Sequence, residues 1–279
     1  MRLTLSLILL LLLAFSPAQS RSIKAGDIYG PEDTGFNSIG DANLTVSTII
    51  EKANRNIGQT PEDPTIRFGD ILVDDGLQNA DRCTSRKPSC MWPRNSDGNT
   101  YIPYIISNQF RPKQKDLITS VLKTFEKSTC IRFKPRDREE DYIDVQSLEG
   151  CYSFVGRTGG GQTLSLNRRG CLHKKIIQHE LLHALGFHHE QCRSDRDQHI
   201  RILYENIIPG EEHNFDKEDT NNLNTPYDYG SVMHYERDAF SRNGQPTMVP
   251  IPDQNVAVGR AEEMSANDIL RIKKLYCTD

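Results

Sequence analysis

Hydrophobic residues recur along the chain in two periods, which predict a sheet in the first half and two longer helices. Apolar residues repeat every three to four positions in residues 113–125 and again in 174–185, which is typical of helices with one buried face. Short β-branched or aromatic runs between turn formers predict strands at 101–106, 131–133, 142–145, 151–155 and 162–166. Residues 266–275 favour a last short helix, and the chain between 186 and 265 is polar and rich in loop formers.

The first 20 residues have a separate pattern, in which Arg2 precedes an apolar run over 3–15 and small residues extend to Ser20. A positive start, a short apolar core and a small-residue end are typical of a secretory signal peptide, which is removed from the mature protein. The run is shorter than the ~18 to 20 apolar residues that a membrane span needs, and no other stretch of the sequence approaches that length. A signal anchor that stays in the membrane is the alternative interpretation.

Residues 21–78 are rich in Gly, Pro, Asn, Asp and Glu and poor in aromatic residues, which favours a propeptide. They contain the glycosylation acceptor Asn43-Leu44-Thr45, for which occupancy and chance occurrence are both open. Roughly 200 residues remain in 79–279, enough for one large domain or for two packed lobes around a cleft.

The predicted helix at 174–185 carries the most informative motif, His-Glu-Leu-Leu-His-Ala-Leu-Gly-Phe-His-His-Glu at 179–190. Histidines four apart share one helix face, so His179 and His183 can reach a single ion. Gly186 adopts a left-handed backbone without a Cβ penalty, so it can end the helix and bring His189 to the same ion. Three protein ligands leave one position for water, as in hydrolytic zinc sites, and we therefore predict one bound Zn²⁺.

Glu180 follows His179 directly and is rotated by roughly 100° around the helix axis, which places its carboxylate beside the metal. A carboxylate there can take a proton from water and pass it to a leaving amine, so Glu180 is the predicted general base of a metallopeptidase. Bare H-E-x-x-H strings also occur by chance, and the alternative is that His179 and His183 are ordinary polar residues of an amphipathic helix. The glycine and the third histidine in register favour the zinc site.

A second segment, Tyr-Gly-Ser-Val-Met-His-Tyr at 229–235, resembles the methionine turn of the metzincin peptidases, and with Gly-Phe-His-His-Glu at 186–190 it is similar to the astacin family. The resemblance extends from about Asn79 to the C-terminus. It implies an α+β fold, a metzincin (astacin-like) two-lobed catalytic domain with a twisted N-terminal sheet, an active-site helix and an irregular C-terminal lobe. It also implies that Tyr235 is a further zinc ligand of the mature enzyme that swings aside to steady the oxyanion, above an apolar floor formed by Met233.

The resemblance also covers activation. Phe68-Gly69-Asp70 resembles the Phe-x-Gly-Asp aspartate switch of astacins, although phenylalanine here directly precedes glycine. The resemblance implies that Asp70 occupies the open zinc position in the latent zymogen, and a solvated loop aspartate is the alternative. An Asn-Ala-Asp start implies a mature N-terminus at Asn79, whose freed ammonium pairs with Glu190. No basic residue precedes that bond, so the activating protease is unknown.

Seven cysteines in a secreted chain argue for disulfides, but even six cysteines allow 15 connectivities, so spacing alone does not choose among them. The astacin resemblance implies three pairs: Cys83–Cys90, Cys130–Cys277 and Cys151–Cys171. Cys192 is then left over. Its thiol is either buried and unreactive, or labile to oxidation or active near the metal.

A net charge of −4 with modest clustering gives no case for binding nucleic acid or an anionic membrane surface. We therefore expect a secreted, extracellular monomer that acts on protein substrates, and we leave storage in secretory granules before release open. Within the astacins, motifs such as Tyr-Ile-Pro-Tyr at 101–104 resemble those of fish hatching enzymes, which implies egg-envelope glycoproteins as substrates. Two alternatives remain: a sister six-cysteine astacin of immune or other tissue with a different protein substrate, and an inactive peptidase-like binding protein.

Overall fold

The computed structural model describes residues 44–73, which we call the N-terminal segment, and residues 90–277, which we call the body. The predicted signal peptide, the Asn43 acceptor, the predicted mature start at Asn79 and Cys83 lie outside these ranges. The segment and the body belong to one structural unit. Within the described ranges, no helix combines the length and the hydrophobicity that crossing a membrane requires.

The described residues form four α-helices, which are α1 (Val46–Asn54), α2 (Pro112–Ser128), α3 (Lys174–Ala184) and α4 (Ala266–Ile272). The last three lie close to their predicted positions, and α4 continues as a π-helix over Lys273–Cys277. Helix α1 was not predicted. It begins at Thr45, whose hydroxyl accepts a hydrogen bond from the Thr48 amide at 3.3 Å, and such a cap satisfies an otherwise unpaired donor of the first turn.

A seven-stranded sheet runs in the order β1-β2-β6-β7-β5-β3-β4. Its strands are β1 (Ile66–Arg67), β2 (Ile71–Leu72), β3 (Thr100–Ile106), β4 (Ile131–Pro135), β5 (Tyr142–Gln146), β6 (Cys151–Ser153) and β7 (Gly161–Leu166). The five body strands match the predicted runs, except that β6 ends two residues early and β4 extends two residues further. The N-terminal segment supplies β1 and β2, and β2 pairs in parallel with β6 through Ile71 and Ser153. The segment therefore lengthens the sheet at the edge of the body.

The main hydrophobic core lies where α2 and α3 pack on each other and against the sheet, with α2 on β4 and α3 on β6 and β7. Phe125 of α2 and Ile176 of α3 are fully buried in it. Helix α1 adds Val46, Ile49 and Ile50 to the same core. Because burial of each such side chain contributes about 1.5–3 kcal/mol, the N-terminal segment is anchored chiefly by α1.

The second half of the body has little regular structure, as predicted. It contains single-turn 3₁₀ helices and a two-stranded sheet of β8 (Ile200–Ile202) and β9 (Met248–Pro250). The disulfide Cys130–Cys277 ties the end of the body to the start of β4, and Cys151–Cys171 links β6 to the loop before α3. These are two of the pairs that the astacin resemblance implied. Cys90 is also disulfide-bonded, while its implied partner Cys83 lies outside the described residues.

Candidate metal centre

Helix α3 presents His179 and His183 on one face, and both side chains are fully buried. The Nδ1 atom of His179 lies 2.8 Å from the carbonyl oxygen of Val232, and Nδ1 of His183 lies 2.7 Å from that of Phe187. A ring nitrogen that donates to a carbonyl must carry the proton, which leaves the Nε2 lone pair of the same ring free. Both Nε2 atoms are therefore prepared to bind a cation.

Gly186 ends α3 in the way that the motif predicted. Its φ is +98°, and its amide donates to the carbonyl of His183 at 2.7 Å, while the Phe187 amide donates to that of Leu182 at 3.0 Å. This pair of bonds is a Schellman motif, in which a glycine satisfies the last carbonyls of a helix and reverses the chain. The reversal brings His189, which is also buried, back to the first two histidines.

The three Nε2 atoms converge on one point. Nε2 of His183 lies 3.1 Å from Nε2 of His179 and 3.1 Å from Nε2 of His189, and the third separation is 3.3 Å. Nitrogen ligands that share a tetrahedral zinc at 2.0–2.1 Å are about 3.3 Å apart. Burial lowers the pKa of His183 and lowers that of His189 to about 4, so these rings are neutral and able to act as ligands at neutral pH.

Asp70 of the N-terminal segment completes the group, and its carboxylate is fully buried. Its Oδ2 lies 2.9 Å from Nε2 of His179, and its Oδ1 lies 3.0 Å from Nε2 of His189 and 3.4 Å from that of His183. Oδ1 has no hydrogen-bond partner among the described residues. A buried carboxylate that contacts three imidazoles and has one unpaired oxygen fits a fourth metal ligand, and these four side chains form a group able to hold a metal ion.

Glu180 is fully buried, and neither of its carboxylate oxygens has a hydrogen-bond partner among the described residues. Burial, together with the nearby charge of Asp70, raises the pKa of Glu180 well above its usual value. An unpaired buried carboxylate is unfavourable unless another group supplies its partner. The structure therefore places an unpaired carboxylate on the same helix as His179 and His183, and its role as a proton acceptor stays a prediction.

Tyr235 of the methionine turn lies at the same site, and the role of Met233 as an apolar floor under the metal stays a prediction. The Tyr235 ring is 4.4 Å from the ring of His189, between centroids, and its hydroxyl donates to the carbonyl of Phe68 at 2.6 Å. With the N-terminal segment in place, this hydroxyl therefore bonds to the segment. Met233 is buried, and its carbonyl accepts from the Glu190 amide at 3.0 Å.

Asp268, which sequence reasoning missed, holds the methionine turn. The Ser231 hydroxyl donates to its Oδ1 at 2.6 Å, and the Val232 amide donates to its Oδ2 at 3.0 Å. The same carboxylate caps α4 by accepting from the Ser265 amide at 2.9 Å. Since Val232 in turn orients His179, Asp268 supports the metal centre through the turn. The Ser-x-x-Asp capping box was readable in the sequence, but it predicts only where a helix begins.

Glu190 already has two arginine partners in this structure. Arg271 lies 2.5 Å and 2.8 Å from its two carboxylate oxygens, and Arg193 lies 3.1 Å from one of them. The Asp228 amide also donates to Glu190, at 2.7 Å. The implied pairing of Glu190 with the ammonium of Asn79 stays a prediction, because Asn79 lies outside the described residues.

Asn54, also missed from sequence, fastens the N-terminal segment beside the candidate metal centre. Its Nδ2 donates to the carbonyls of Gly69 and Cys151 at 2.7 Å and 2.8 Å, and its Oδ1 accepts from the Cys151 amide at 2.8 Å. The side chain thus pairs with the backbone of β6 and holds the residue that precedes Asp70. A Cβ on Gly150 would lie only 2.4 Å from this Oδ1, so the fit is close.

The free thiol of Cys192 is 1% exposed and lies 3.7 Å from the carbonyl oxygen of Asn214. Burial raises the pKa of this thiol. Since the thiolate is the reactive form, the thiol is unreactive in this state.

Comparison with known proteins relates this geometry to a family. A family model described as Astacin, which is a peptidase family, matches residues 85–277. Low choriolytic enzyme of Oryzias latipes is 43% identical over 272 residues, which cover 97% of this chain and 97% of the relative. High choriolytic enzyme 1 of the same fish is 46% identical over 267 residues, covering 95% of this chain and 96% of the relative.

A solved structure agrees with these matches. High choriolytic enzyme 1 (HCE-1), described as a hatching enzyme zinc-protease from Oryzias latipes, superposes with a TM-score of 0.66 at 54% identity. The match covers 67% of this chain and 94% of that one. The α+β architecture described above is therefore the fold of that enzyme.

Proposed function

This chain belongs to the astacin family of zinc-dependent metalloendopeptidases, and from that premise we propose that it is a secreted zinc endopeptidase, made as a latent zymogen, that digests egg-envelope glycoproteins. The observation that carries the proposal is the buried group of Asp70 with His179, His183 and His189. Three of these ligands come from the body and one from the N-terminal segment. Loss of the segment would therefore change the centre from four protein ligands to three.

His179, His183 and His189 would hold the zinc in the mature enzyme. Zinc in such a site supplies Lewis-acid polarisation of a carbonyl and lowers the pKa of bound water to about 7. The carbonyls of Val232 and Phe187 fix the His179 and His183 rings. Such outer contacts orient ligands and raise their affinity for the metal.

Glu180 would act as the general base. One of its carboxylate oxygens takes a proton from the attacking water and then delivers it to the nitrogen of the leaving amine. Its position on α3, one residue after the ligand His179, supports this role. Its two unpaired oxygens are free for that transfer.

Tyr235 would become available when the N-terminal segment leaves. Its hydroxyl now donates to the Phe68 carbonyl of that segment, so removal of the segment frees this donor. We assign to the freed hydroxyl the roles of a further zinc ligand and of a donor to the developing oxyanion. One such donor typically contributes about 10²–10³ in rate.

We assign latency to residues 21–78 as a propeptide, with Asp70 closing the metal position and the mature enzyme starting at Asn79. The contacts of α1, β2 and Asn54 with the body support this assignment. The family model also matches only from residue 85 onward. A signal peptide at 1–20 would direct the zymogen out of the cell.

The proposal of an egg-envelope substrate comes from the relatives. Two of them are named choriolytic enzymes, and each aligns over nearly the whole chain. Hydrolysis of internal peptide bonds in the envelope proteins is the activity that this likeness supports.

The test is to express the full chain, identify the N-terminal residue of the secreted product and incubate that product with isolated egg envelope. We expect a product that starts at Asn79, softens the envelope and releases peptides from it, while Glu180→Gln prepared in the same way leaves the envelope intact. A product that hydrolyses casein but not the envelope would overturn the substrate and favour a sister astacin. A zinc-loaded product that cleaves neither would overturn the enzymatic role.

A further inference from the structure

A small hydrophobic cluster lies between the N-terminal segment and the body, apart from the two larger cores. Phe68 and Ile71 come from the segment, Cys192 comes from the body, and Val155 packs on them while partly exposed. The other three side chains are 7% exposed or less. The two segment residues therefore cover the thiol of Cys192, and the cover leaves with the segment.

The backbone of Phe68 indicates that its side chain is held firmly. Its φ is +53°, a left-handed conformation that costs a residue with a Cβ roughly 1–2 kcal/mol. Such strain persists only where the surrounding contacts offset it. The buried ring supplies those contacts, together with the hydrogen bond from Tyr235 to the Phe68 carbonyl. The body thus offers a cavity that accepts a large apolar side chain.

This cavity adjoins the metal centre, because Phe68 and Ile71 flank Asp70 in sequence. Gly69, between Phe68 and Asp70, passes so close to the centre that a Cβ there would lie 2.8 Å from the Tyr235 hydroxyl. On the far side, Ile71 pairs with Ser153 of β6. A polypeptide that takes the place of the N-terminal segment beside β6 therefore places a side chain over Cys192.

We propose that Cys192 and Val155 form an apolar substrate subsite of the mature enzyme, and that Cys192 sets how large a side chain it accepts. The proposal deepens the proposed function, since the subsite opens when the N-terminal segment is removed. Its occupant is a bulky apolar side chain of the substrate polypeptide, and Phe68 occupies the position in the latent chain. The parallel pairing of β2 with β6 gives the direction of the N-terminal segment and not that of a substrate. We therefore define the subsite by the side chain that it accepts, and mapping of cleavage sites supplies its position relative to the scissile bond.

A first experiment tests the cover without any catalysis. In the intact Glu180→Gln chain, alkylation of Cys192 by iodoacetamide is followed by mass spectrometry of its peptide. We expect slow labelling of Cys192 in this chain. When Phe68→Ala is added to it, labelling should become at least tenfold faster. The control Ile66→Ala, which changes a nearby residue outside the cluster, should not accelerate labelling. Removal of the segment by limited proteolysis should accelerate labelling further. Labelling that stays slow after removal would overturn the subsite.

A second experiment tests specificity in the mature enzyme. Peptides that differ only by Phe or Ala at successive positions around one scissile bond are compared by kcat/KM. At one position we expect wild type to prefer Phe by about ten- to hundredfold. Cys192→Phe fills the subsite and should reduce that preference at least tenfold, while the conservative Cys192→Ser should largely keep it.

The two experiments separate the subsite from the proposed function. A Phe/Ala ratio that is equal in wild type and Cys192→Phe at every position would overturn the subsite even in an active enzyme. If no peptide is hydrolysed by wild type, the proposed function fails, and the labelling experiment still decides whether the cavity opens.

Discussion

The two sides of the metal centre are built in different ways. On one side, His179 and His183 stand on a buried helix, and carbonyls of the body fix both rings. On the other side, Asp70 stands next to a two-residue strand of the N-terminal segment, and the Asn54 side chain holds its loop. The first side is part of the main core, whereas the second is attached to it across an edge of the sheet.

This difference means that the three histidine ligands are permanent, whereas the aspartate ligand can be removed. The histidine side would have to unfold before its ligands could leave, because α3 contributes to the central hydrophobic core. The aspartate side is released if the linking chain is cut and the contacts of α1, β2 and Asn54 are lost. Under the proposed zymogen role, activation requires that only the aspartate side can be removed. Four predictions test the difference, from the largest expected effect to the smallest.

Glu180→Gln should have the largest effect, since it removes the proton acceptor while leaving the histidine side intact. We expect hydrolysis of casein by the processed enzyme to fall by up to about 10⁴-fold, with zinc content unchanged by elemental analysis. The exposed Glu205 supplies the matched control, Glu205→Gln, which should retain activity. A fully active Glu180→Gln enzyme would exclude this carboxylate as the base.

Asp70→Ala opens the aspartate side directly. A buried charged contact typically contributes about 3–5 kcal/mol when one partner is removed, so the basal activity of the uncleaved chain should rise by about 10²-fold or more and its latent period should shorten. The rate of casein hydrolysis immediately after secretion measures this. Asp63→Ala in the same segment serves as the control, and a latent period unchanged by Asp70→Ala would contradict the role of Asp70.

Asn54→Ala should loosen the aspartate side without touching the metal. Each lost hydrogen bond contributes about 0.5–1.5 kcal/mol, so losing the contacts with Gly69 and Cys151 should raise basal activity by about tenfold. Asn56→Ala is a close control, because Asn56 is exposed two residues further along. Equal latency in the two variants would mean that Asn54 does not hold the segment.

Glu51 should make the attachment of the N-terminal segment pH-dependent. Burial raises the pKa of Glu51 from 4.5 to about 7, and the charges of Asp238, Glu211 and Glu236 add to this. Because the folded pKa exceeds the unfolded one, protonated Glu51 stabilises the folded chain fully below about pH 4.5, and that stabilisation is lost as pH rises through about 7.

Glu51→Gln is neutral at every pH and should remove this dependence. The Tm of the Glu51→Gln chain relative to wild type should rise by several degrees between pH 5 and pH 8. Glu62→Gln, at an exposed position of the same segment, should show no such trend. A constant Tm difference would mean that Glu51 stays ionised in the folded chain.

The histidine side was open to prediction from sequence because its ligands lie within 179–189 on one helix and its turn. Helix periodicity and one glycine were sufficient to place them together. The same periodicity gave α2 and α3, and short β-branched or aromatic runs between turn formers gave the strands of the body. The role of Asp70 could be predicted only from the Phe-x-Gly-Asp motif of astacins, which this sequence matches imperfectly. Its position depends on the pairing of β2 with β6, a contact between residues about 80 apart in sequence.

Two supports of the site were not predictable in this way. Helix α1 has apolar residues at Val46, Ile49, Ile50 and Ala53, which is helical spacing, but the composition of residues 21–78 was interpreted only as that of a propeptide, and no helix was predicted there. Asp268 could be predicted to cap α4, whereas its bonds to Ser231 and Val232 depend on tertiary packing. Side-chain contacts between distant loops have no periodic signal in the sequence.

The most direct test of the account is the zinc content of the purified, processed enzyme, measured together with its casein hydrolysis before and after treatment with a chelator. We predict one zinc per chain, loss of hydrolysis when the chelator removes the metal, and recovery when zinc is restored. Processed protein without stoichiometric zinc, or hydrolysis that persists after the metal is stripped, would contradict it.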